Sequence, residues 1–407
     1  CRDGPYPRND GAPMTENDVV IVAAARTPQG RLKGQLAGFA ATELGSIAIR
    51  GALDRAGRSP GVVDAVIVGQ VLQAGAGQNP ARQAAIGAGI GWDVHAVAVN
   101  KVCLSGLTAI IDATRMLRLG DATVVVAAGM ESMTRAPHLL MGSRFGWQYG
   151  TVAALDSMAY DGLTDAYDHE SMGASTERFN ERFGVSRQAQ DRVAALSHQR
   201  ALAAQAAGVF DAEIVPIEVP QRKGEPLWVD ADEGIRPGTT IETLGRLPGA
   251  FAEGGTLTAG NSSQISDGAS AVVLTTRSHA DENGWPVLAV VGAAGQVAGP
   301  DTSLHAQPAR AIEAALQRAG MDAAALDFIE SNEAFGAVVA YSAAELGISE
   351  DRVNLHGGGI AIGHPIGASG NRLVVHAVHE LLRRGTGTAA VALCGGGGQG
   401  EALILTR

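Results

Sequence analysis

Val97-Ala98-Val99-Asn100-Lys101-Val102-Cys103-Leu104-Ser105-Gly106 begins a unit that the chain spells twice. A short apolar run turns through Cys103 into a helical pattern that lasts to Leu119. Gly120-Asp121 stops it, and Val124 to Ala127 reads as a buried strand. Near the other end, Ser369-Gly370 opens a helical pattern to Leu382, Arg383-Arg384-Gly385 stops it, and Ala389 to Leu393 is again an apolar strand. Allowing one extra residue, Thr388 to Leu393 matches Thr123 to Ala128, which sets Cys394 where Gly129 stands in the first copy. The repeat predicts a duplicated α/β domain.

Upstream, residues 19–24 predict a buried strand, residues 42–56 an amphipathic helix capped by Thr42, and residues 65–69 a further strand. Between the copies, residues 131–266 differ in texture, with Met, Trp and Tyr in loops and an Ala-rich helix over residues 186–207. The length exceeds an ordinary connection, so a subdomain covering something is expected. Residues 1–13 are polar with Gly and Pro, and Met14 ahead of the first strand is the expected natural start.

Composition bounds the function. With 46% hydrophobic and 18% charged residues the chain can bury a large core, and 54 glycines suit close helix-on-sheet layers. A net charge of −11 argues against nonspecific nucleic-acid binding. No apolar run reaches the roughly 18 residues that a membrane helix needs. Cys1, Cys103 and Cys394 are the only cysteines, too few for a disulfide framework, and a cytoplasmic, reducing setting fits.

Three stretches carry chemistry. A lone Cys is most often a small buried apolar residue, but Cys103 falls between strand and helix, near unpaired backbone N–H groups and a positive helix end, both of which favour thiolate. The glycine-dense loop Gly357 to Gly370 holds His364 between Gly363 and Pro365, and imidazole is the side chain suited to take a thiol proton. Cys394-Gly395-Gly396 ends an apolar strand, with N–H groups able to stabilise an oxyanion and a thiol able to move a proton at carbon. His376 and His379 lack a third ligand nearby in sequence and are expected to be surface or packing residues, so no metal is implied.

Four ordered blocks, Cys103-Leu104-Ser105, Asn332-Glu333-Ala334-Phe335, Gly363-His364-Pro365 and Cys394-Gly395-Gly396, are similar to the active-site blocks of the thiolase family. The likeness continues through residues 23–28, 129–133 and 258–263. The resemblance implies two thiolase-type βαβαβαββ domains in five layers, α/β/α/β/α. The first covers residues 14–132 plus 267–287, the second residues 288–407, and residues 133–266 form an inserted loop domain over the coenzyme A site.

It implies an acyltransferase that joins two acetyl-CoA into acetoacetyl-CoA and CoA, reversibly and by ping-pong kinetics, with CoA thioesters as substrates and no further cofactor. His364 would activate Cys103 for acylation and Cys394 would move the α-proton of the second substrate. Asn332, through a water, and His364 would form one oxyanion hole, and the backbone N–H groups of Cys103 and Gly396 the other. Arg222, Lys223, Ser263, Met172 and Phe335 would meet coenzyme A. The family likeness also implies a homotetramer.

Ser171 stands where biosynthetic members often have His, and Leu104 is bulkier than usual, which bears on acyl selectivity; Asn100-Lys101-Val102-Cys103 is closer to the acetoacetyl-CoA type. The alternative is a 3-ketoacyl-CoA thiolase of fatty-acid breakdown. A β-ketoacyl synthase would need His or Asn in place of Cys394, and a non-catalytic acyl-CoA binding protein would not need all four blocks.

Overall fold

A computed structural model describes residues 17–407; residues 1–13, Met14 and Cys1 lie outside them. The first half supplies β1 (Val19–Arg26), α1 (Ala41–Arg55), β2 (Ala65–Gly69), α2 (Pro80–Gly87), β3 (His95–Val99), α3 (Ser105–Leu119) and β4 (Val124–Ser132). An inserted segment carries α4 (Met172–Phe183), α5 (Arg187–Ala206), β5 (Ile217–Val219) and β6 (Leu227–Val229), after which β7 (Ser266–Thr276) completes the half. The second half runs β8 (Ala289–Ala298), α6 (Gln307–Ala319), β9 (Phe328–Ser331), α7 (Gly336–Glu345), α8 (Ser369–Arg384), β10 (Thr388–Gly395) and β11 (Gln399–Thr406).

The duplication is explicit in the strand pairing. β3-β2-β4-β7-β1 is parallel across its first three strands and antiparallel thereafter. β9-β10-β11-β8 repeats the scheme: β9 is parallel to β10, β10 antiparallel to β11, and β11 antiparallel to β8. A parallel bridge between Ile329 and Val353 stands where β3 flanks β2 in the first copy. The halves meet edge to edge through two residue pairs, Val20 with Val290 and Ile21 with Ala289.

α3 and α8 pack on each other in the middle layer, α1 covers the outer face of the first sheet, and α6 that of the second. The five layers follow from apolar faces on both sides of every central strand. The repeated Ser-Gly explains how closely the middle helices meet. A Cβ at Gly106 would lie 2.8 Å from Asn371 N, and one at Gly370 would lie 2.6 Å from Leu107 N, so only glycine fits at either crossing.

The expected Thr42 cap is corrected. Ala40 precedes the first turn of α1, and the Glu43 carboxylate accepts its N–H at 2.7 Å, because Glu at the third helical position reaches back where an alanine side chain cannot. Among the described residues no helix is long and apolar enough to cross a membrane, and no His, Cys, Asp and Glu group has metal-ligand spacing.

Candidate active site

The Cys103 turn leaves β3 at Val99 and enters α3 at Ser105. Within it Val102 has φ +51°, a conformation that a β-branched residue resists. Several bonds impose it: Val102 N donates to Asn100 Oδ1 (3.0 Å), Lys101 N donates to Ser105 Oγ (2.8 Å), and Ser105 Oγ donates to Val102 O (2.6 Å). Glu401 on β11, fully buried, accepts from Lys101 Nζ (2.6 Å), Thr108 Oγ1 (2.8 Å) and Gln296 Nε2 (2.6 Å). One carboxylate thus ties the Cys103 turn to the hairpin of Cys394, where Cys394 pairs with Gly400.

Cys103 is half-buried and Cys394 buried. The expected bias of Cys103 toward thiolate is corrected: burial is the largest effect and pushes the thiol up to about 12, although its own N–H and that of Gly396 bond the sulfur and pull the other way. Burial, then the neighbouring Cys103, likewise raise Cys394. Helix-end polarity is too weak to offset desolvation here, so the resting pair is two thiols.

His364 is buried, and burial first, then the Arg372 cation, hold its imidazole down at about 4, so it is neutral at ordinary pH. Nδ1 lies 2.5 Å from Ser369 Oγ, whose hydroxyl donates to Pro365 O at 2.9 Å. With that hydrogen committed, Ser369 accepts, so the imidazole proton sits on Nδ1 and Nε2 carries the lone pair. Asn332 Nδ2 lies 3.4 Å from Nε2, and Asn332 Oδ1 is buried without a protein partner, as suits an acceptor for bound water. His364 N donates to Gln264 O and Ser266 Oγ, both at 3.2 Å, which fixes the loop backbone.

Two carboxylates that the sequence reading passed over hold the surrounding loops. Glu131 accepts from the N–H groups of Val71, Leu72 and Gly367 at 3.0, 3.1 and 2.9 Å; burial still pushes it up to about 7. Glu333 accepts from Ser197 Oγ (2.6 Å), Asn354 Nδ2 (2.8 Å) and Ile360 N (3.0 Å), and burial raises it too. An acidic residue ending an apolar strand, as at Glu131, was the available signal.

Cys103, His364, Cys394 and Gly396 line one mostly apolar cavity of about 70 Å³, walled by Met133, Leu163, Leu304 and Ile366. Met172, Ser263 and Phe335 line it as well. A larger open cavity of about 770 Å³ shares Val102, Gly162, Met172 and Gly396 with it and leads outward past Tyr160, Tyr167 and Gln399. Arg222 and Lys223 are exposed between β5 and β6 and line neither cavity.

Leu104 is corrected as a selectivity feature: it is fully buried in the core, where a Cβ on Gly395 would come within 2.7 Å of its Cγ, and it does not reach the cavity. Ser171 caps α4, accepting from Ala174 N at 3.2 Å. The His376 and His379 pair packs rather than facing solvent: His376 Nδ1 is 2.9 Å from Glu213, and His379 Nε2 is 3.2 Å from Ala24 O.

A duplicated five-layer fold with two cysteines and a histidine at one cavity, and an asparagine beside that histidine, finds its counterpart in known families. Residues 19–278 match the family description "Thiolase, N-terminal domain" and residues 285–407 match "Thiolase, C-terminal domain". The chain belongs to the thiolase family. This thiolase is 55% identical to a probable acetyl-CoA acetyltransferase of Mycobacterium tuberculosis, over 95% of this chain and 98% of the relative. It is 48% identical to an acetyl-CoA acetyltransferase of Pseudomonas aeruginosa, over 96% and 99% of the two chains. The crystal structure of the Bacillus anthracis acetyl-CoA acetyltransferase superposes with a TM-score of 0.93 at 36% identity, covering 96% of this thiolase and 98% of that chain.

Proposed function

We propose that this thiolase is an acetyl-CoA C-acetyltransferase, condensing two acetyl-CoA reversibly into acetoacetyl-CoA and CoA. The observation that carries it is the small apolar cavity onto which both thiols and the His364 imidazole face, with room for an acetyl group. The printed names of relatives at 48–55% identity support the same activity.

Nε2 of His364 takes the Cys103 proton as the sulfur attacks the acetyl carbonyl, and the Cys103 and Gly396 N–H groups receive the charge on the carbonyl oxygen. Coenzyme A leaves as thiolate and takes its proton from the Cys394 thiol, which leaves Cys394 as the thiolate base while His364 keeps the Cys103 proton on Nε2. A second acetyl-CoA then loses its α-proton to Cys394, its thioester oxygen being held by His364 and a water on Asn332. The carbanion attacks acetyl-Cys103, the new C–C bond forms, the C–S bond breaks, and the Cys103 thiolate recovers its proton from the His364 imidazolium, which restores both thiols. Two resting thiols suit this cycle, since each is deprotonated only when substrate charge is there to be exchanged.

Met172, Ser263 and Phe335 would line the pantetheine path, with Arg222 and Lys223 reaching the nucleotide end. The exposed apolar side chains Phe145, Trp147 and Tyr149, and the uncovered edge of β3, support a homotetramer. A cytoplasmic setting fits two free thiols.

The test is thiolysis: purified protein with CoA and acetoacetyl-CoA, beside Cys103→Ala and Cys394→Ala. Turnover lost in both variants is expected. Preference for longer 3-oxoacyl-CoAs would overturn the acetyl assignment, and wild-type inactivity on all of them would overturn the reaction.

A further inference from the structure

Behind the catalytic histidine lies a layer of buried charge that the proposed chemistry never touches. Arg26, at the end of β1, donates through Nε to Glu213 (2.8 Å) and through both terminal nitrogens to Asp232 (2.7 and 2.9 Å). The second oxygen of Glu213 faces His376 Nδ1 at 2.9 Å, and His376 Nε2 lies 4.0 Å from Glu330 on β9. Glu213 and Asp232 come from the inserted segment, so the layer joins all three parts of the fold.

Arg372 on α8, one turn before His376, ends this layer. It is 1% exposed, and none of its three guanidinium nitrogens meets a protein acceptor; both carboxylate oxygens of the fully buried Glu330 likewise lack a hydrogen-bond partner. A buried charge left unpaired is among the costliest arrangements in a protein, and the usual remedy is enclosed water making about three hydrogen bonds. The layer already holds charges of both signs, Arg26 and Arg372 against Glu213 and Asp232, which suits an enclosed water better than an ion. Burial raises Glu330 to about 7, and His376, raised by Glu213 and Glu330 against the pull of burial, also meets His356 Nδ1 through Nε2 at 3.1 Å.

We propose that Arg372 and Glu330 enclose bound water between them and serve as positioning residues for His364. Arg372 lies three residues beyond Ser369, and Glu330 two before Asn332, the side chains at the two imidazole nitrogens. The pair therefore fixes the element ends that aim the base. This rests on His364 serving Cys103 as proposed above. Arg372 faces Glu330 from β9, Glu213 and Asp232 from the inserted segment and Arg26 from β1, with His376 and Glu333 also within its reach. Its charge joins burial in keeping His364 neutral.

The experiment assays Arg372→Met, Glu330→Met, the double variant and Arg372→Lys for acetoacetyl-CoA thiolysis against pH. Each single Met variant strands a buried charge and should be unstable, whereas the double variant strands none and should fold with nearly the wild-type Tm. Its kcat should fall about tenfold, as a small misplacement of a catalytic group costs, with KM little changed. The acid limb of its kcat/KM profile should move to higher pH, because His364 has lost a neighbouring cation, and Arg372→Lys should recover most of the rate. A folded double variant with the wild-type rate and acid limb overturns the proposal. So does a high-resolution crystal structure in which Arg372 and Glu330 pair directly with no water between them. Inactive wild type would strike the reaction itself instead, and Cys103→Ala in the same assay separates the two failures.

Discussion

Ser369 accepts from His364 Nδ1 because its own proton is held by Pro365 O, and that arrangement leaves Nε2 able to take a proton from Cys103. Ser369→Ala keeps the helix but frees the tautomer, and kcat/KM for thiolysis should drop about 10- to 100-fold, the scale of a lost general-base contribution; an unchanged value would mean that something else orients the ring. A second histidine gives a pH signature in stability. His305 is held neutral at about 4, by burial first and then Arg182, while its Nε2 bonds Asn180 at 2.8 Å and its ring stacks on Phe183. Its folded pKa is below the unfolded value, so between the ordinary histidine range and about 4 only the unfolded state takes up the proton, and stability falls as pH falls through that window. His305→Gln removes this uptake, so its Tm should drop less than the wild type's on acidification from neutral pH to about 4.5. Glu131 and Glu330, raised to about 7, act in the opposite direction and are common to both proteins, so the difference isolates the histidine.

The Cys103 turn and the Cys394 hairpin are two elements clamped by one ion pair. Lys101→Met leaves Glu401 with Thr108 and Gln296 as donors but without its counter-charge, at a cost of about 2 kcal/mol for a partly exposed pair. Lower kcat with unchanged KM should accompany it, and Lys101→Arg should restore both; variants indistinguishable from wild type would show that the strained Val102 holds the turn unaided. Leu104 and Gly395 form the other clamp. Gly395→Ala drives a Cβ into Leu104, and Leu104→Ala opens a cavity costing about 3 kcal/mol. Combining them should recover part of the stability in thermal unfolding, without widening the acyl preference, because Leu104 does not face substrate.

At the scale of the whole molecule, the edge of β3 and the apolar side chains between β4 and α4 are what an assembly would cover. Light scattering should report a tetramer for the wild type. Replacing Phe145, Trp147 and Tyr149 together by Ser should yield dimers, since one of two candidate surfaces remains; a monomeric wild type would remove the assembly from the proposal.

The duplicated layers were legible because their signals are local: apolar runs of strand length, Gly stops at Gly120 and Gly385, and the mirrored Ser105-Gly106 and Ser369-Gly370. The same locality marked Cys103 and Cys394 at strand ends and His364 in its glycine-dense loop, whereas Asn332 came only from the likeness to the family blocks. Tertiary structure decided what those groups are worth. Burial sets two thiols and a neutral imidazole where helix polarity alone argued for thiolate, and burial depends on what packs over a turn from distant parts of the chain. Leu104 reads as a substrate contact until Gly395, nearly three hundred positions away, is seen beside it. Glu401 and Arg372 carry no short-range pattern, since the donors and charges that give them meaning arrive from other strands and loops. Sequence determined which chemistry is present, by local pattern; only the fold decided its protonation and aim, because desolvation and hydrogen bonding are set by neighbours that the chain brings together last.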